Sequence, residues 1–124
     1  MIALGIESTA HTFGVGIVKN EKILSDIKRQ YKPETGGIVP NHAMEFLKKV
    51  KEVVIEESLE KAKLEMNDVD VIAVSQGPGM PLSLNVGMNF AKELALKYKK
   101  PLIGINHLTG HLEIGRLLTK AKDP

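Results

Sequence analysis

The sharpest chemical feature of the 124-residue chain is a pair of histidines four residues apart. His107 and His111 lie in Asn106-His107-Leu108-Thr109-Gly110-His111-Leu112-Glu113-Ile114-Gly115. On a helix, positions i and i+4 share one face, one turn apart. Both imidazoles can then reach a single metal ion. Leu108 stands where HExxH requires a Glu, so the general base of a zinc protease is missing. Two ligands are also fewer than the three or more that a catalytic ion usually takes from protein. Taken alone, the pair reads first as two partly exposed histidines on an ordinary helix. His11 and His42 are distant in sequence and read as surface residues.

Two loops have the composition to meet an anion. In Glu7-Ser8-Thr9-Ala10-His11-Thr12, the hydroxyls of Ser8, Thr9 and Thr12 and the backbone N–H groups of a tight hairpin suit an oxyanion, with Glu7 as the acidic member. The commoner meaning of such residues is a polar β-turn. In Ser75-Gln76-Gly77-Pro78-Gly79, Gly77 and Gly79 allow close backbone approach ahead of a helix N-terminus, which favours anions. The segment is neither a Walker loop nor GxGxxG. A strand-to-helix turn with unusual dihedrals explains the two glycines equally well.

These residues must be positioned by the elements around them. Ile2 to Glu7 reads as a buried strand, Phe13 to Val18 as a second, and Ile23 to Tyr31 as a third. The polar link Lys19-Asn20-Glu21-Lys22 makes the second and third an antiparallel pair. A helix is expected from Pro40, tolerated at a helix start, to Leu64. Val69 to Ser75 reads as a strand. Pro81 to Lys99 reads as a helix, with Lys97, Lys99 and Lys100 placed against its negative end. Leu102 to Ile105 reads as a last strand, and Asn106 suits the cap of a final helix over 107–119. The order βββαβαβα predicts an α/β fold, a mixed sheet with helices on its faces. It is the order of a ribonuclease-H-like lobe, as in the actin, sugar-kinase and heat-shock chaperone ATPases. In those ATPases the first hairpin usually carries an Asp; here the acidic position is Glu7.

Composition sets the outer bounds. Apolar residues make up 43% and charged residues 26%, which suits one globular domain and excludes a mainly disordered chain. The formal charge of +2 is too small for a dedicated nucleic-acid binder. No apolar run is long enough for a membrane span. No secretory signal is visible, so a cytoplasmic protein without a membrane partner is expected. Cysteine is absent, which excludes thiolate zinc sites, cysteine nucleophiles and disulfides.

Together the segments resemble the TsaD family of tRNA threonylcarbamoyladenosine synthases, once labelled O-sialoglycoprotein endopeptidases, in its archaeal–eukaryotic branch. The residues that carry the resemblance are Ala3-Leu4-Gly5-Ile6-Glu7-Ser8-Thr9-Ala10, Tyr31-Lys32-Pro33, Gly36-Gly37-Ile38, Ser75-Gln76-Gly77-Pro78-Gly79, and Gly104-Ile105-Asn106-His107 through His111-Leu112-Glu113-Ile114-Gly115-Arg116. The resemblance implies two ribonuclease-H-like lobes, of which residues 1–124 hold the N-terminal one. It implies transfer of a threonylcarbamoyl group from threonylcarbamoyl-adenylate to an adenosine beside the anticodon of tRNA. It implies that His107 and His111 hold one divalent metal ion, iron or zinc, as a Lewis acid. The family's adenylate-binding Ser-Gly-Gly-Asn-Thr segment would follow Pro124, and a further Asp ligand would lie in the second lobe. The chain alone is therefore expected to be inactive. The implied partners are subunits of the KEOPS complex, a small dimer-forming one on the N-lobe helices and a small kinase. Two positions depart from the family pattern. Asn41-His42 replaces Arg-Glu, and Asn85 replaces the Arg of Leu-Arg-Val.

The helices carry more apolar residues than one face needs. At ~100° per residue, Ala43, Phe46, Leu47, Val50, Val53, Val54 and Leu64 form one sector of the first helix. Met44, Ile55, Leu59 and Ala62 form a second. The second sector is either packing against the other helix or a docking surface. Two other functional classes compete with transferase. An actin-like or sugar-kinase ATPase lobe predicts an Asp in the first hairpin and no histidine pair. A non-catalytic module like the TsaB paralogue also predicts no pair.

Overall fold

A computed structural model describes residues 1–8, 12–32, 40–77 and 81–106. The elements are β1 (Ile2–Glu7), β2 (Thr12–Lys19), β3 (Lys22–Gln30), α1 (Pro40–Ala62), a 3-10 turn (Met66–Asp68), β4 (Val71–Gly77), α2 (Pro81–Tyr98) and β5 (Leu102–Asn106). These match the expected order through the fifth strand. The expected final helix lies outside the described residues.

The strands form one sheet in the order β3-β2-β1-β4-β5. β1 pairs antiparallel with β2, and β2 with β3. β1–β4 and β4–β5 are parallel. The β2–β3 link turns on Asn20 and Glu21, both with positive φ, as a two-residue hairpin requires. Strand alternation divides the sheet's residues between its two faces. One face carries Leu4 and Ile6 of β1, Phe13, Val15 and Ile17 of β2, and Ile72 and Val74 of β4, all within the main core. Both helices cover this face. Ser58 of α1 donates to the Val15 carbonyl, and Phe90 of α2 lies 6.1 Å from Phe13, ring to ring. The opposite face carries Ala3, paired with Val18, Gly5, paired with Gly16, and Glu7, paired with Gly14.

α1 has two packing partners, the sheet and α2, so its second apolar sector also has a structural use. Ile55, expected on a docking surface, is buried at 6% exposure, whereas Val53, expected inside, is 48% exposed. Met44, Leu59 and Ala62 are half-buried against the core. The β3–α1 contact is closed by an Arg29–Glu57 ion pair, in which Arg29 Nη2 donates to both Glu57 carboxylate oxygens. Its two side chains are 43% and 36% exposed, so it is worth at most about 1 kcal/mol.

Both helices end in the same device. Lys63 N–H donates to the Glu60 carbonyl and Leu64 N–H to the Leu59 carbonyl; Lys100 N–H donates to the Ala95 carbonyl. In each helix the residue after the cap is left-handed, Lys63 at φ 59° and Lys99 at φ 54°. This end usually takes Gly, because a Cβ is strained there. Lys99 thus terminates α2, and the Lys100 ammonium donates to the Asn67 carbonyl. Lys63→Gly and Lys99→Gly are each expected to stabilise the chain by about 1 kcal/mol, read from the urea midpoint. A lower midpoint for both would show that these ends are not left-handed in solution.

Candidate functional site

The parallel strands β1, β4 and β5 end at one edge of the sheet, at Glu7, Gly77 and Asn106. Ligands of open α/β sheets gather outside this carboxyl edge. The apolar runs of β1 and β4 make buried strands. Gly77 pairs directly with Asn106. Gly77 and Asn106, which precede Pro78-Gly79 and His107 in the sequence, therefore end their strands side by side. The structure thus brings together three segments separated by up to a hundred residues in the chain.

Each expected residue has a definite place or lies outside the described region. Glu7 ends β1 on the face away from the helices and is half-buried. Thr12 opens β2, half-buried, paired with Gln30. Thr9, His11, Gly79, His107 and His111 lie outside the described residues. The Ser8 hydroxyl turns into the helix layer. It is 1% exposed and accepts a hydrogen bond of 2.9 Å from Gly87 N–H. Alternation explains this, because Ser8 continues the inward series Leu4 and Ile6. His42 and Asn85 are exposed on α1 and α2. Among the described residues, no group of three or more His, Asp or Glu side chains could hold a metal ion.

Two features at this edge lay beyond sequence reasoning. β4 continues through Gln76 to Gly77 by a register shift after Ser75, a bulge that re-aims Gln76. The Gln76 amide lies over Gly104 of β5, where an added Cβ would come within 2.2 Å of it. Gln76 is therefore an exposed carboxamide held at the ligand edge. The second feature is Gly87, inside α2, whose Cβ would come within 2.1 Å of Ser8 Oγ. Gly87 carries no local signal, since its partner is far away in the chain.

A family model described as TsaD: tRNA N6-adenosine threonylcarbamoyltransferase matches residues 21–124. The chain belongs to this family. It is 46% identical over 126 aligned residues to the tRNA N6-adenosine threonylcarbamoyltransferase of Saccharolobus islandicus (strain Y.G.57.14 / Yellowstone #1). That match covers all of this chain and 38% of the relative. The chain therefore spans about two-fifths of the length of such relatives. Among solved structures, YeaZ from Pseudomonas aeruginosa superposes with a TM-score of 0.67 at 17% identity, over 86% of this chain and 45% of that one. Thermus thermophilus RuvC, solved with a Holliday junction substrate, gives 0.52 at 14% identity, over 88% and 66%. Such identities speak to fold alone. With the sheet order, they show that the chain has a ribonuclease-H-like fold. No helix among the described residues is long and apolar enough to cross a membrane.

Proposed function

We propose that the chain is the N-terminal lobe of a tRNA N6-adenosine threonylcarbamoyltransferase, which moves the threonylcarbamoyl group of threonylcarbamoyl-adenylate to an adenosine of tRNA. The carrying observation is the alignment of the whole chain with 38% of a transferase at 46% identity. The convergence of β1, β4 and β5 on one edge supports it, because Glu7, Gly77 and Asn106 end their strands there.

The donor set fits an iron or zinc ion. His107 and His111 offer two neutral imidazoles, ligands that suit both metals, and they begin one residue beyond the Gly77–Asn106 pair. When bound, the metal would act as a Lewis acid that polarises a carbonyl oxygen. The chain's own residues bind and orient. The backbone N–H groups of the first turn of α2 suit the anionic part of the adenylate. Glu7 supplies a carboxylate beside them, and the exposed Gln76 amide supplies both a donor and an acceptor.

The test is a transfer assay with threonylcarbamoyl-adenylate and tRNA, scored for modified adenosine by mass spectrometry. The complete enzyme is expected to transfer the group, and the 124-residue chain alone is not. Absence of modified adenosine with the complete enzyme would sink the reading. In isothermal titration, the chain alone should bind zinc or ferrous ion weakly, since it offers two of the implied ligands.

Partner docking belongs to the same proposal. Leu59, Leu64, Met66 and Tyr98 floor a shallow groove where α1 and α2 end, with Glu56 and Glu60 on its rim. Such a floor suits a protein subunit with an apolar anchor and basic flanks. Leu59→Asp should weaken subunit binding by about tenfold or more, as expected when an anchor residue is lost. The half-buried site should leave the circular dichroism spectrum native. An unchanged titration with the small dimer-forming subunit would exclude this groove.

A further inference from the structure

The Ser8–Gly87 contact ties together the two segments on which the proposed site depends. Ser8 is the first residue after β1, next to Glu7. Gly87 lies in the second turn of α2, the helix that follows the Gly77 segment. Gly87 N–H donates to Ser8 Oγ at 2.9 Å, and both residues are buried. An N–H inside a helix normally faces only the carbonyl four residues back. A side-chain oxygen comes this close to it because position 87 has no side chain. A Cβ there would stand 2.1 Å from Ser8 Oγ and 3.1 Å from Ser8 Cβ, but 3.6 Å from Ile6 Cγ2, an ordinary contact. The whole obstruction thus comes from residue 8. Positions 8 and 87 form a reciprocal size pair, in which one residue can carry a side chain only if the other gives up its own.

We infer that this pair is a positioning joint. It fixes the end of β1 on α2, and so sets the Glu7 end of β1 at a constant distance from the first two turns of α2. The inference rests on the proposed transferase reading for its functional meaning, and on the contact itself for its geometry. Neither residue touches substrate. They act through Glu7 and the Gly77 segment. The consequence is that Gly87→Ala displaces β1 from α2, whereas Ser8→Gly/Gly87→Ala restores the fit without the hydrogen bond.

Two measurements test the joint. In the complete enzyme, at a temperature where circular dichroism shows each variant folded, Gly87→Ala should raise KM for the adenylate about tenfold while changing kcat much less, a misplacement effect. Ser8→Gly/Gly87→Ala should return KM most of the way to wild type. In the 124-residue chain, Ser8→Ala should speed amide exchange at Gly87 and at residues 74–77 together, with residues 15–27 unchanged, the signature of a local opening. A double variant as impaired as Gly87→Ala, or an unaltered KM in a folded Gly87→Ala enzyme, would overturn the inference. So would exchange that is unchanged or raised uniformly. If the wild-type enzyme transfers nothing, the transferase reading fails, and the exchange pattern alone decides whether the joint exists.

Discussion

His111→Ala is expected to abolish the metal-dependent part of threonylcarbamoyl transfer in the complete enzyme, a loss of roughly a hundredfold or more. Removing an outer-shell partner of a metal ligand typically costs about 10–100-fold, and a ligand itself should cost at least the upper end of that range. Binding of zinc or ferrous ion, read by titration and by metal content after dialysis, should fall with activity. His107→Ala should do the same, and combining the two should add little, because loss of either imidazole leaves too few ligands to hold the ion. Leu108→Ala, inside the same segment but off the proposed ligand face, is the control and should keep the metal. Equal metal content in His111→Ala and wild type would remove the pair from the site. Full transfer by His111→Ala would remove the metal from the reaction.

Strands built from uninterrupted apolar runs could be read directly. Ile2–Glu7 has the bounds its sequence predicts, and Pro40 starts α1 as its lack of an N–H allows. Less local features were harder to read. β4 begins at Val71 rather than Val69 because Asp70 is drawn into the start of β1. Its carboxylate accepts from Ile2 N–H at 2.6 Å, and its own N–H donates to the Ile2 carbonyl. The 3-10 turn Met66–Asp68 is closed by the Asp68 side chain accepting from Glu65 N–H, a bond within four residues that leaves no periodic trace. The division of α1 into a core sector and a docking sector misplaced Ile55 and Val53. Angular counting on one helix does not show that a second helix occupies a side of it. Ser8 was legible as a loop hydroxyl by type and alternation turns it inward, but the partner it meets there, Gly87, lies 79 residues away. The candidate site was therefore legible as a set of segments. What each side chain faces depended on contacts between segments far apart in sequence.

Stability supplies the other large effect, and Phe13→Ala should have it. Phe13 is the largest fully buried side chain among the described residues. It projects from β2 into the layer between sheet and helices, where its ring meets Phe90 at 6.1 Å and a 56° tilt. Removing a buried phenyl ring typically costs about 3–5 kcal/mol, the transfer energy plus the cavity left behind. The tilted ring pair adds about 0.5–1.5 kcal/mol beyond buried area. Against a total of about 5–15 kcal/mol for a domain, this removes a large fraction of stability and should lower Tm by roughly 10–20 °C. Phe13→Leu, which keeps most of the volume, should lose less than half as much. Leu96→Ala, at a position 81% exposed, should stay within about 0.5 kcal/mol of wild type. Urea denaturation of the three variants ranks them directly. Because Phe90 lies one turn after Gly87 on α2, the cavity opens beside the Ser8 contact. Phe13→Ala should therefore also loosen the Gly87 amide in hydrogen exchange more than amides at the far end of the sheet. A cost below about 1 kcal/mol would place Phe13 outside the core, since such small losses belong to surface positions. It would also remove the packed floor on which the carboxyl edge of β1 rests.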